Sequence, residues 1–93
     1  MASGVAAEVK NKLSIVDVVG EQVQLRKAGT IFKGLCPFHG EKTPSFVVTP
    51  ARESWHCFGC GEGGDIFSFV MRREGLTFPE ALKRLAAKAG IEI

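Results

Sequence analysis

The spacing of apolar and polar positions changes twice along the chain and divides it into three stretches. Residues 1–13, rich in Ala, Val and Lys, predict a short helix. Ser14 is placed to cap a second short helix, Ile15 to Val19, with Asp17 in its first turn and Gly20 ending it. Strict alternation in Gln22-Val23-Gln24-Leu25-Arg26 then predicts a strand. Ala28-Gly29 predicts a turn, and Ile31 to Leu35 a second strand. Ser45-Phe46-Val47-Val48-Thr49, β-branched and aromatic, predicts a third. Residues 50–53 turn the chain into a fourth, Ser54 to Cys57.

Beyond residue 60 the period becomes helical. Gly61-Glu62-Gly63-Gly64 reads as a flexible loop. Asp65 caps a helix with Ile66, Phe67, Phe69 and Val70 on its apolar face, and Gly75 ends it. Thr77 and Glu80 form a capping box for a last helix. There Phe78, Ala81, Leu82, Leu85, Ala86 and Ala89 recur at helical spacing, and Gly90 follows its C-terminus. The fold class expected is α+β. It is a small antiparallel sheet of about four to five strands, flanked by short N-terminal helices and two C-terminal helices, as a single domain over residues 1–93.

At 93 residues a hydrophobic core is only marginally sufficient. An apolar share of 45% and a charged share of 24% are globular values and exclude a disordered chain. No apolar run nears the ~18 residues of a membrane span. Nor do the first residues join a basic region to an apolar one, as a secretory signal would. A soluble, cytoplasmic protein is expected, with no membrane partner. The net charge is +2, and its distribution is more informative than its size. Between Gln22 and Arg52 stand Arg26, Lys27, Lys33, Lys42 and Arg52, against the single acid Glu41. A locally basic middle is either a solvated face or the footprint of a polyanion.

Three cysteines cannot make a disulfide framework without leaving one thiol over. Their spacing points elsewhere. Cys36-Pro37-Phe38-His39 and Cys57-Phe58-Gly59-Cys60 are two C-x-x-[CH] pairs separated by 17 residues. A two-residue gap curls both side chains of a pair toward one point, and an intervening hairpin can bring the two pairs together. Thiolate and imidazole are ligands that Zn²⁺ prefers, and a closed set of four marks a structural site. Cys36, His39, Cys57 and Cys60 are thus the expected ligands of one structural zinc. His56 is a rival to His39, but alternation along the fourth strand turns it away from the face of Cys57. Glycines at 59, 61, 63 and 64 permit the tight backbone of the second knuckle.

Two other motifs carry less. Gly59-Cys60-Gly61-Glu62-Gly63-Gly64 matches G-x-G-x-x-G, but the parallel βαβ unit and the downstream acid of a dinucleotide site are missing. Cys57-x-x-Cys60 could be a redox pair, were it not matched by a partner knuckle. Between the knuckles, basic residues and hydroxyls alternate with aromatic side chains and a histidine. Cations follow a phosphate backbone and exposed rings stack unpaired bases. Lys33, Lys42 and Arg52 are candidates for phosphate contact, with Arg26 beside them, and Trp55 and His56 for base contact. Phe46 reads as core. Trp55 is either core or base contact, depending on whether its strand lies at the sheet edge. No carboxylate cluster is present to hold the two metal ions of polynucleotide synthesis, and no nucleophile-base arrangement survives once the knuckles hold zinc. Catalysis by this stretch is not expected.

The run Gly34-Leu35-Cys36-Pro37-Phe38-His39-Gly40-Glu41-Lys42-Thr43-Pro44-Ser45-Phe46, with His56-Cys57-Phe58-Gly59-Cys60-Gly61, resembles the N-terminal zinc-binding domain of bacterial DnaG-type replicative primases. Ile15-Val16-Asp17-Val18-Val19 before it, and Gly63-Gly64-Asp65-Ile66-Phe67 and Glu80-Ala81 after it, agree. The resemblance covers residues 14–93. It implies a zinc ribbon held by Cys36, His39, Cys57 and Cys60, and a role in recognising single-stranded DNA template where an RNA primer starts. It also implies that this is an N-terminal fragment of a larger primase. Nucleotidyl transfer would belong to a downstream polymerase domain, a partner in cis or in trans, and contact with the replicative helicase to a region further on. Gln22, where the family usually has an aromatic, and Trp55, where Tyr or Phe is commoner, depart from its pattern. A zinc ribbon used mainly for protein docking, for instance through the apolar face of 78–89, is the alternative.

Overall fold

A computed structural model of the chain describes residues 2–38, 40 and 44–92. The first helix, α1 (Ala2–Lys12), leads into α2 (Ile15–Gly20), where the Ser14 side chain accepts from the Val16 N–H as predicted. A second acceptor at this helix start has no local sequence signal. The Glu53 carboxylate, 38 residues away, accepts from the Ile15 N–H at 3.0 Å. Glu53 reaches it from a left-handed backbone position (φ 50°) closing the 3-10 turn Pro50–Arg52.

Five strands form one antiparallel sheet in chain order: β1 (Arg26–Ala28), β2 (Ile31–Gly34), β3 (Phe46–Thr49), β4 (Ser54–Cys57) and β5 (Gly63–Gly64). Two expectations are corrected. The first strand begins at Arg26 and not at Gln22. The alternation in 22–26 reflects burial, with Val23 6% exposed and held by its N–H to the Val19 carbonyl, and not strand pairing. The pairing partners of β2 are Arg26, Lys27 and Ala28. Residues 22–25 instead run against Gly34, where a Cβ would sit 2.7 Å from the Gln24 carbonyl oxygen.

The second correction concerns the loop at 61–64, whose last two residues pair with Trp55 and His56 as β5. Glycine is needed there because Ser68 packs onto the strand. A Cβ on Gly64 would meet the Ser68 hydroxyl at 1.9 Å.

The strand registers sort the side chains. Phe46, Val48, Trp55 and Cys57 lie on the inner face with Phe32. The outer face carries a row formed by Arg26, Lys33, Val47 and His56, one residue from each of four neighbouring strands. Against the inner face packs α3 (Ile66–Glu74), through Phe69, and α4 (Phe78–Ala89) packs in turn on α3 and α1, with Ile66, Phe67, Phe69, Val70, Ala81, Leu82, Leu85 and Ala86 all buried. Both helices start in capping boxes and end in left-handed glycines, Gly75 and Gly90. Among the described residues no helix is long and apolar enough to cross a membrane.

Asp65 ties three elements together. Its carboxylate accepts from the Ser68 N–H at 3.0 Å and pairs with Lys10 of α1 at 2.8 Å. Burial, the largest influence on this carboxyl, favours its protonated form, but the Lys10 ammonium and the Ser68 N–H outweigh it and lower its pKa. Asp65→Ala, which removes the cap, is expected to cost about 1 kcal/mol. Denaturant unfolding of the zinc-saturated chain checks this, and an unchanged midpoint would show the cap to be idle.

Candidate metal centre and outer sheet face

The first knuckle follows β2 and the second begins on the last residue of β4. Since β2 and β4 flank β3, the sheet brings the two knuckles together at one end. There the sulfurs of Cys36, Cys57 and Cys60 lie within 4.8 Å of one another, with Cys36 and Cys60 at 4.0 Å. Ligands on a tetrahedral Zn–S centre are separated by roughly 3.8 Å, given bonds near ~2.3 Å. The described trio therefore fits three vertices of such a site.

Two turn bonds hold the second knuckle. The Gly61 N–H donates to the Cys57 carbonyl at 2.8 Å, and the Cys57 N–H to the Glu62 carbonyl at 2.8 Å. The Phe58 N–H donates to the Ser45 carbonyl and so pins the knuckle to the start of β3.

The electrostatics of the trio favour a cation. Burial pushes the Cys36 thiol up to about 12, and the neighbouring sulfurs of Cys57 and Cys60 add to it, while the Phe38 N–H at 3.4 Å works the other way. Burial is also the largest influence on Cys57 and raises it. Backbone N–H groups of Cys60 and Gly59, with the Ser45 hydroxyl and the Cys36 thiol, more than offset that and bring it down to about 7. One thiolate is thus readily formed, and further ones crowd into an apolar corner beside it. A divalent cation removes that conflict.

Phe38, inside the first knuckle, lies in a cluster with Trp55 (5.3 Å between centroids) and Phe69 (5.7 Å), and Arg72 covers its ring at 4.9 Å. Phe46, read from sequence as core, is fully buried in the same cluster.

The family model of the CHC2 zinc finger, the DnaG-type zinc ribbon, matches residues 1–93. The chain belongs to that family. It binds zinc as a structural ion, and its matched relatives are DNA primases. The chain is 58% identical over 85 residues to a DNA primase of Geobacillus stearothermophilus, covering 91% of this chain and 14% of that protein. It is 48% identical over 89 residues to a DNA primase of Thermotoga maritima, covering 96% of this chain and 16% of that one. The crystal structure of Aquifex aeolicus primase, comprising zinc-binding and RNA polymerase domains, superposes with a TM-score of 0.91 at 39% identity, over 96% of this chain and 22% of that one. What the chain shares with these proteins is the zinc-binding domain, about one-seventh of the length of the Geobacillus protein.

Not every predicted site residue falls in place. His39 and Lys42 lie outside the described residues. His56 is exposed on the outer face while Cys57 is buried on the inner one, so the CHC2 fold places His56 away from the sulfur trio. Trp55 corrects the expectation of a base contact. The paired β5 strand takes its strand off the sheet edge, and its side chain is 2% exposed, stacked on Phe46 at 5.3 Å with its indole N–H donating to the Asp65 carbonyl at 3.0 Å. A ring so enclosed cannot stack an incoming base.

Arg26, Lys33, Arg52 and His56 are exposed, the first two and His56 in the outer row. Beside them stands an aromatic that the sequence reading passed over. Phe58 is 72% exposed, and His56 meets its ring edge-to-face at 4.5 Å. Its position was a usable signal, because the residue after the first cysteine of a C-x-x-C pair is turned outward when both cysteines face the metal. Phe58, His56, Arg52 and the hydroxyls of Thr49 and Ser54 line a cleft of about 790 Å³ on this face.

Proposed function

We propose that this domain binds single-stranded DNA template on the outer face of the sheet and so helps a primase recognise where an RNA primer begins. Phe58 carries the reading. It is a large ring left in solvent, steadied by His56, at one end of a row whose other end is Lys33 and Arg26. Arg52 and Lys33 contact phosphates, and Phe58 with His56 receives an unstacked base. The zinc, held by Cys36, Cys57, Cys60 and, in this reading, His39, fixes the end of the sheet on which this surface is built. Lys42 belongs to the same footprint in this reading. Primer synthesis itself falls to the polymerase domain of the parent primase, acted on in cis or in trans, and helicase contact to a further region.

The docking alternative loses its best surface, since the apolar face of α4 is spent on the core and leaves only Phe78, 40% exposed. Binding of the zinc-loaded chain to labelled single-stranded DNA at several salt concentrations tests the proposal. Lys33→Ala and Arg52→Ala are expected to weaken binding across all sequences and to lower the salt slope by about one unit each. Phe58→Ala is expected to cost about 1–3 kcal/mol with the salt slope kept. Unchanged affinity in all three would move the template elsewhere. No binding at any salt, together with a salt-insensitive complex with a protein, would favour docking.

A further inference from the structure

A second concavity, of about 770 Å³, lies around the β1 edge of the sheet and not on the Phe58 side. Arg26, Lys27, Lys33 and Arg73 line it, and among the described residues no carboxylate does. Four cations elsewhere in the domain are paired. Lys10, Arg72, Arg84 and Lys88 each hold a carboxylate, Asp65, Glu62, Glu74 and Glu21 respectively. Among the described residues none of the four groove cations has such a partner. They also arrive from different directions. Arg26 and Lys33 belong to the outer face, Lys27 lies opposite Phe32 on the other face, and Arg73 comes from the last turn of α3. Four like charges left unpaired around one groove repel one another, and an anion held by all four removes that cost.

The rest of the lining is not that of a bare ion site. Leu35 is 49% exposed and stands with Pro37 as an apolar wall, and the Gln22 and Gln24 side chains supply uncharged amides. A volume near 770 Å³ is that of a small-molecule site, which ranges over about 300–1,000 Å³.

We propose that this groove binds a nucleoside triphosphate, its polyphosphate among Arg26, Lys27, Lys33 and Arg73 and its base and sugar along Leu35 and Pro37. A strand crossing the sheet would bring its phosphates singly, one to each cation along its path. Four cations around one compact groove suit phosphates joined in series. The described lining holds no carboxylate for a catalytic metal ion, and the role proposed for the groove is binding alone. The groove shares Arg26 and Lys33 with the template face, and Lys27 and Arg73, which lie outside the outer row, distinguish the two sites.

The test is calorimetric titration of the zinc-loaded chain with ATP, with inorganic triphosphate as competitor and adenosine as control. ATP is expected to bind, to be displaced by triphosphate, and to bind far more tightly than adenosine. Lys27→Ala and Arg73→Ala should each weaken ATP by about tenfold, the scale of one charge-assisted hydrogen bond. Both should leave single-stranded DNA binding unchanged. Lys12→Ala and Lys83→Ala, which remove unpaired cations outside the groove, should change neither. Zinc content and circular dichroism matching the parent exclude misfolding. No ATP binding, or an equal loss in the Lys12 and Lys83 variants, overturns the proposal. So does displacement of ATP by an oligonucleotide lacking a 5′-triphosphate whose own binding falls tenfold in Arg73→Ala, since the groove would then be part of the strand path.

Discussion

Removing zinc with a chelator is expected to unfold the sheet. Structural zinc contributes about 10–16 kcal/mol in small zinc-binding peptides at neutral pH, whereas a whole domain is stable by only about 5–15 kcal/mol. The loss falls first on the ends of β2 and β4, because the knuckles that continue them carry the metal ligands. Helices α3 and α4 carry their own caps and a shared apolar contact, so a partly helical remnant should persist. Trp55 reports the change directly. Buried against Phe46 and Phe38, it should emit at short wavelength with zinc bound, shift to the red on chelation, and return when zinc is added back. Acid should act in the same direction, because protons compete with the ion for Cys36, Cys57 and Cys60. A metal-free chain that kept its cooperative transition and its blue emission would show the core sufficient alone.

Trp55→Ala is expected to destabilise the zinc-loaded chain by about 3–5 kcal/mol, the range for deleting a large buried aromatic side chain. Three things are lost together: the stack on Phe46, the edge contact with Phe69, and the indole bond to the Asp65 carbonyl that fixes the start of α3. Trp55→Phe keeps most of the packing and gives up the bond, so a smaller loss, about 1–2 kcal/mol, is expected. Denaturant midpoints at saturating zinc measure both. The same variants separate a core role from a base contact. Under conditions where Trp55→Phe is fully folded, its DNA affinity should match the parent, whereas Phe58→Ala should lose affinity without losing stability. The opposite pattern would return Trp55 to the DNA face.

Much of this was legible in the residues themselves, for a local reason. Helix caps at Ser14, Asp65 and Thr77, the strand period of 46–49, and the C-x-x-H and C-x-x-C spacings are short-range patterns, each set by the geometry of one turn or one pleat. They determined the α+β class, the hairpin sheet and the metal. What they could not carry is anything that depends on which segments meet. The alternation at 22–26 is that of a strand, yet the pairing positions on β2 are taken by 26–28, so the segment is only a strap that buries Val23 and leaves Gln22 and Gln24 exposed. Gly63-Gly64 has the composition of a loop, and becomes a strand because Ser68 and Trp55 close over it. Above all, Trp55 and Phe58 are both aromatic and three residues apart. Only the addition of β5 beyond β4, and the turning of Cys57 and Cys60 toward a common centre, decides that the first is sealed in the core and the second stands in solvent.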